Sequence, residues 1–345
     1  MQLTANSRVA ILLQGGVKGH HGKTGLAFLR YSQTKMVAVI DSEAEGESLV
    51  GLTQIERNVP IVKNVQAALT YQPEILLIGI APSGGKLPSD LLAEIAIAVK
   101  AGLSIVNGLH TSLNHRFPNL RSGQKIWDIR QEPAGLKIGT GQARSLSAQR
   151  ILTVGTDMAI GKMSTSLELH RAALAQGIKA QLIATGQAGI AISGQGIALD
   201  AVRVDFAAGA VEKTLLEQAI EQDLVIIEGQ GSLLHPGSTA TLPLIRGSQP
   251  TGLVLVHRAG AKHIRDLPNF LIPPLPEVIQ LYETVASAGG TFGEVKVKAI
   301  ALNTLGMNHN QAEAVIKSTA DSTGLPCSDV VRYGAASLLP AVYAK

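Results

Sequence analysis

Residues 150–165 read RILTVGTDMAIGKMST, an apolar run that stops at a glycine-rich turn and closes on Gly161-Lys162. No other stretch restricts the fold as much. A strand that feeds through glycines into a helix opening with lysine belongs to a parallel α/β unit. There the N–H groups of the turn and the helix N-terminus gather around an anion. The remaining sequence repeats the same alternation of short apolar runs with amphipathic segments. RVAILL (8–13), MVAVID (36–41), EILLIGI (74–80), LSIVNG (103–108) and KIWDIR (125–130) read as strands, with helices at TGLAFLRY and SDLLAEIAIAVKAG. The segment EPAGLKIGTGQARSLSAQ, rich in Gly, Pro and small polar residues, marks a boundary. Past it come the strands KAQLIAT (179–185), DLVIIEG (223–229), GLVLVH (252–257) and VKAIALN (297–303). The helices there are KMSTSLELHRAALAQG, DFAAGAVEKTLLEQAIEQ capped by Asp205, and HNQAEAVIKSTADSTG stopped at Gly324. The fold class is α/β, in two domains at residues 1–140 and 141–345, the second built on a mostly parallel sheet.

Composition agrees with this reading. Hydrophobic residues make up 46% and charged residues 16%, with 36 glycines, which suits buried parallel strands joined by tight turns. Such a chain is too apolar for a disordered one. The net charge is +4, and no Lys/Arg run is interleaved with aromatics, so nucleic acid is not an expected partner. Cys327 is the single cysteine, which excludes an internal disulfide and a cysteine metal cluster. No zinc-type His/Cys spacing is present, and no metal ligand set is assigned. The opening MQLTANSRVAILL has an apolar stretch too short for an export signal or a membrane span. The expectation is a soluble cytoplasmic protein, forming a homo-oligomer and acting on a small molecule, with no membrane partner.

In a strict phosphate loop the lysine is followed by Ser or Thr, whose hydroxyl ligates Mg²⁺. Here Gly155 and Gly161 enclose five residues, Lys162 follows, and Met163 stands where the hydroxyl is expected. Ser164 is one helical step of about 100° away. The anion-holding half of the device is therefore intact and the metal-holding half is altered. Gly155, Thr156, Asp157, Gly161, Lys162, Met163, Ser164 and Thr165 are the candidate phosphate-binding residues. Asp157 is oddly placed among them, since its charge repels a phosphate; an amine, a sugar hydroxyl or a loop N–H would each suit it. A second loop, Gly16-VKGHH-Gly22-Lys23-Thr24, follows the first strand with the same spacing. Asp41, ending the next strand, stands where a Rossmann fold places its ribose-binding acid, yet the loop lacks the G-x-G-x-x-G form. A structural turn with solvated His20 and His21 explains it equally well.

The loop at 155–162 has downstream support. DLVIIEGQGS delivers Glu228 to the carboxyl end of a strand, where ligands sit in open α/β sheets. Gln230, Gly231 and Ser232 continue as a tight loop with backbone donors, and His235-Pro236 places an imidazole beside it. His235 and Glu228 are the candidate proton-transfer residues. His257 and Arg258 end another strand and suit an anionic group, while Arg332 suits a surface ion pair or, from the last loop, a carboxylate or phosphate of the ligand. Asn303 carries an amide able to pair with a purine edge. Cys327, after Pro326 at a strand start, reads as buried and inert.

GTDMAIGK resembles the GTDTxVGKT loop of dethiobiotin synthetase, and IALN resembles its adenine-binding segment. The fuller resemblance is to the DgcN-like family, domain of unknown function 1611. It rests on RYS–VAVID, GTDMAIGKMST, IIEGQGSLLHP, ALNT and SDVVRYGAASLL, which together span nearly the whole chain. It implies a Rossmann-like N-terminal domain, a P-loop C-terminal domain, and N-acetylation of a D-amino acid such as D-glutamate with acetyl-CoA as donor. Under that reading the loop anchors coenzyme A phosphates that do not react. Gly155, Gly161, Lys162, Ser164 and the Glu228–His235 segment form the site, and Gln230, Gly231, Ser232, Arg258 and Arg332 meet the substrate. The alternatives are an ATP- and Mg²⁺-dependent ligase or kinase like dethiobiotin synthetase, or a non-catalytic nucleotide-binding protein.

Overall fold

Strands covered on both faces have no solvent side to alternate toward, which is why the apolar runs of this chain are unbroken. The computed structural model describes residues 1, 3–82 and 87–344. They form two compact units, Met1–Glu132 with Gln187–Ala201, and Pro133–Gly186 with Val202–Lys345.

The first unit contains β1 (Arg8–Leu12), α1 (Lys23–Tyr31), β2 (Lys35–Ile40), α2 (Leu49–Thr53), β3 (Ile61–Val62) and α3 (Val65–Ala68). It continues with β4 (Ile75–Ile78), α4 (Ser89–Ala101), β5 (Ser104–Asn107) and β6 (Ile126–Asp128). All strands pair in parallel, in the order β3-β2-β1-β4-β5-β6. This is the doubly wound order, reversing direction between β1 and β4. Leu12, Ile40, Ile78 and Ile105 of the sheet bury themselves against Leu91 and Ile95 of α4. The loop after β1 is shaped from inside the protein. Asp41 accepts from the N–H of Gly15 (3.0 Å) and Glu43 (3.1 Å) with one oxygen, and from Val17 (2.9 Å) with the other. His20 and His21 are exposed, and Thr24 is buried, accepting from Gln187 Nε2 at 3.3 Å.

The second unit opens with β7 (Gln149–Gly155), α5 (Lys162–Ala175) and β8 (Ala180–Ile183). The chain then supplies α6 (Gln187–Ser193) to the first unit before returning. There follow α7 (Val204–Gln218), β9 (Leu224–Ile227), α8 (Thr241–Ser248), β10 (Gly252–Arg258), β11 (His263–Ile264) and β12 (Leu267–Leu271). The unit closes with α9 (Leu275–Ser287), β13 (Val297–Asn303), α10 (His309–Thr323), β14 (Cys327–Ser328), α11 (Val330–Tyr333) and α12 (Leu339–Val342). Its main sheet is also parallel throughout, ordered β14-β13-β10-β7-β9-β8, with β11 and β12 a separate antiparallel hairpin. Since all six strands run the same way, the ends of β7, β9, β10 and β13 lie along one edge.

Most predicted elements are present at their expected places, and Gly324 stops α10 in the left-handed conformation with φ 69°. One cap differs. The N-cap of α7 is Arg203, so Asp205 lies inside the first turn, where its charge complements the helix dipole without capping an N–H. Cys327 opens β14 half-buried, and burial pushes its thiol up to about 12, far from a reactive thiolate. No helix among the described residues is long and apolar enough to cross a membrane.

Candidate functional site

The turn between β7 and α5 places Gly161 at the N-cap of α5 with φ +119°, a conformation that favours glycine. A Cβ built there would meet only Asn303 Nδ2, at 3.9 Å, so this face of the turn is open. The first turn of the 14-residue α5 carries no acid, and its N-terminus keeps its positive field. Lys162 is buried and donates from Nζ to the Asp157 carbonyl at 2.7 Å, folded back over the turn. These features fit a phosphate group. Ser164 is half-buried beside them, whereas Thr165 donates its hydroxyl to the Gly161 carbonyl (3.0 Å) and Ser166 donates to the Lys162 carbonyl (3.0 Å).

The turn is fastened on every side. Asp157 accepts from Met158 N at 2.6 Å with one oxygen and from Arg265 N, in the β11–β12 turn, at 2.7 Å with the other. Its charge is thereby absorbed by backbone donors, which resolves the oddity of an acid in a phosphate loop. Thr156 Oγ1 lies 2.9 Å from His257 Nδ1, and Asn303 donates from its amide to the Ile160 carbonyl at 2.9 Å. Fully buried Tyr282 of α9 donates its hydroxyl to the Gly155 carbonyl at 2.7 Å.

Glu228, just beyond β9, is buried within electrostatic reach of Lys162. Its carboxylate accepts from Thr185 N (2.9 Å) and Gly186 N (3.3 Å). Burial pushes Glu228 up to about 7, against the opposing pull of those donors and Lys162. Burial likewise brings Lys162 down to about 8, against the pull of Asp157 and Glu228. A carboxyl poised near neutrality and a buried ammonium thus lie within electrostatic reach of each other. Gly229 follows because nothing larger fits: a Cβ there would lie 1.6 Å from the Thr153 carbonyl. Its N–H donates to Thr153 Oγ1 at 2.8 Å. Gln230 donates to the Thr185 carbonyl, Ser232 N to Ser238 Oγ (3.0 Å), and Leu233 N to Tyr282 Oη (3.0 Å). Tyr282 therefore joins the start of the phosphate loop to the loop after β9.

Two family models cover most of this chain. A domain of unknown function, the DUF1611 P-loop domain, matches residues 137–339, and its Rossmann-like N-terminal counterpart matches residues 42–132. The chain belongs to the DUF1611 family. A DUF1611 family protein from Anabaena variabilis, solved by crystallography, shares 60% identity over 98% of this chain and 99% of its own, with a TM-score of 0.95. A Pseudoalteromonas protein named D-glutamate N-acetyltransferase is 38% identical over 76% of this chain and 79% of its own length. One of the same name from Tritonibacter scottomollicae is 35% identical over 78% and 81%.

In this DUF1611 protein the structure brings together Gly155, Thr156, Asp157, Gly161, Lys162, Ser164, Glu228 and Asn303 around one turn. His235 sits half-buried midway along the loop between β9 and α8, with Nδ1 accepting from Gly237 N at 3.0 Å. His257 does not suit an anion: desolvation brings it down to about 4, leaving the ring neutral, and Thr156 occupies Nδ1. Asn303 has its amide nitrogen on Ile160 and its oxygen on Leu305 N (3.0 Å). Arg258 is exposed, and Arg332 is exposed with its guanidinium on the Met307 carbonyl at 2.8 Å. Sequence reasoning missed Tyr282, Thr185 and Arg265. Only Tyr282 left a trace, a hydroxyl set within the apolar stripe LPEVIQLY, which demands a partner when buried.

Proposed function

We propose that this DUF1611 protein is an acyl-CoA-dependent N-acetyltransferase acting on a small D-amino acid such as D-glutamate. The observation that carries the reading is a phosphate loop, open at Gly161, whose lysine is followed by Met163, with buried Glu228 within electrostatic reach of Lys162. A thioether offers no hard oxygen ligand to Mg²⁺. That donor set suits a ligand whose phosphates are held and not transferred. The names of two relatives, over three quarters of the chain, point to the same chemistry.

In this reading the turn 155–162, Lys162 and Ser164 hold the diphosphate of acetyl-CoA. The substrate amine attacks the thioester carbonyl: the N–C bond forms, the C–S bond breaks, and coenzyme A leaves as its thiol. Glu228, poised near pH 7, accepts the amine proton and returns one to the departing sulfur. Of the post-β9 amides, Gly229 and Ser232 are already bonded within the protein, which leaves Gln230 and Gly231 to face the developing oxyanion.

The test is release of free thiol from acetyl-CoA with D-glutamate, with and without EDTA, in wild type and Lys162→Ala. We expect turnover that survives chelation and disappears with Lys162. Mg²⁺-dependent ATP consumption without thiol release would replace this reading with the ligase or kinase one, in which Glu228 is a metal ligand.

A further inference from the structure

The eight residues Arg258–Arg265, sequence RAGAKHIR, carry four basic side chains and no acid. Arg258, Lys262, His263 and Arg265 are all exposed, while Ile264 is buried and pins the segment to the second unit. This segment is fastened beside the phosphate loop at both ends. Arg258 pairs with Asn303 in the β10–β13 ladder, and Asn303 holds the Ile160 carbonyl. At the other end the Arg265 N–H is held by Asp157, an acid of the loop itself. Among the described residues, the nearest carboxylate to the Arg265 guanidinium is Asp266, at 3.5 Å, with a side chain 89% exposed. A surface pair of that kind competes weakly for an arginine. A loop already sufficient for one anion is thus flanked by a second cationic surface at a fixed position.

We propose that Arg258–Arg265 is a cationic strap that binds a second phosphate group of the acyl donor, a phosphate monoester carried apart from the diphosphate held at 155–162. The inference rests on the acyl-CoA reading above and adds to it a preference for the 3′-phosphorylated donor. An arginine matches a phosphate dianion through a planar fork of donors, and lysine adds a point charge. The Asp157–Arg265 bond gives the strap its register, because it involves the backbone N–H and survives any change of the side chain.

The test is calorimetric binding of coenzyme A and 3′-dephospho-coenzyme A to wild type, Lys262→Ala and Arg265→Ala, at low and high salt. Wild type is expected to favour coenzyme A by roughly tenfold or more, the worth of one good charge-assisted contact. Each variant should lose about three- to tenfold in coenzyme A affinity with unchanged affinity for the dephospho form, and the preference should shrink with salt. Unaltered thermal unfolding checks that both variants fold. Equal binding of the two ligands by wild type, or equal weakening of both in the variants, overturns the strap while leaving the acyl-CoA reading standing. Failure of wild type to bind either ligand overturns both.

Discussion

Replacing Tyr282 by Phe tests how far the phosphate loop depends on a neighbour the sequence conceals. The hydroxyl donates to the Gly155 carbonyl at 2.7 Å and accepts from Leu233 N at 3.0 Å, and the side chain is fully buried. Phenylalanine keeps the ring and its packing, so no cavity of consequence opens. Two backbone groups lose their partner at once. An orphaned buried group costs about 1–3 kcal/mol. Gly155 is buried and bears the full cost, whereas half-buried Leu233 is more readily solvated. The sum is about 2–3 kcal/mol, or a fall in Tm of roughly 4–12 °C for a domain of about 200 residues. Stability alone would not separate packing from positioning, so steady-state kinetics complete the assay. In the proposed reading the two loops that Tyr282 joins carry the donor's phosphates and the proton acceptor, and loosening them should lower kcat by about tenfold or more with a smaller effect on KM. A variant that unfolds within about 1 °C of wild type and turns over equally well would refute the reasoning. A loss of stability with kcat intact would leave Tyr282 a packing residue only.

Three further outcomes follow from the same geometry. Glu228→Gln should lower kcat by roughly 10²–10⁴-fold and remove the rise of rate with pH through about 7, measured as a pH–rate profile. The same pair shapes stability. Glu228, raised from 4.5 to about 7, contributes stability that is present in full below pH 4.5 and lost as pH rises through 7. Lys162, lowered from 10.5 to about 8, has the opposite sign: its penalty holds below pH 8 and is relieved between 8 and 10.5. Denaturant midpoints across pH should therefore fall, level off and recover, and Glu228→Gln should abolish the fall. Gly229→Ala drives a Cβ to 1.6 Å from the Thr153 carbonyl, so β7 and β9 must part; we expect a loss of more than about 3 kcal/mol, read by thermal unfolding.

The sheets were legible because parallel strands buried on both faces leave continuous apolar runs, and because glycines and a lysine mark where β7 becomes α5. Sequence order could not show that residues 187–201, between β8 and α7, pack with the first unit. The hairpin β11–β12 was missed for a different reason: its strands are short and largely exposed, so no apolar run announces them. At the site, residues read by position fared unevenly. Glu228 stands where a strand end predicts. His257 stands at an equivalent strand end, but the burial that neutralises its ring depends on neighbours distant in sequence. Asp157 was the most informative anomaly. An acid in an anion cradle must have its charge absorbed, and the absorbing group, Arg265 N, lies 108 residues away.

These long-range ties explain how a turn of six residues keeps its shape before any ligand arrives. Tyr282 holds its first carbonyl, Asn303 holds Ile160, His257 holds Thr156, and Asp157 anchors it to the hairpin. On the side of Gly161 only Asn303 Nδ2 comes near, at 3.9 Å from a built Cβ, so that side stays open. An anion that meets a turn already ordered loses less affinity to conformational entropy than one that must organise it. For a donor whose phosphates do not react, such preorganisation is the whole use of the loop. In the proposed reading the thioester is positioned toward Glu228 by a part of the donor that the chemistry leaves untouched, which is how remote binding energy is put to work at a reacting centre.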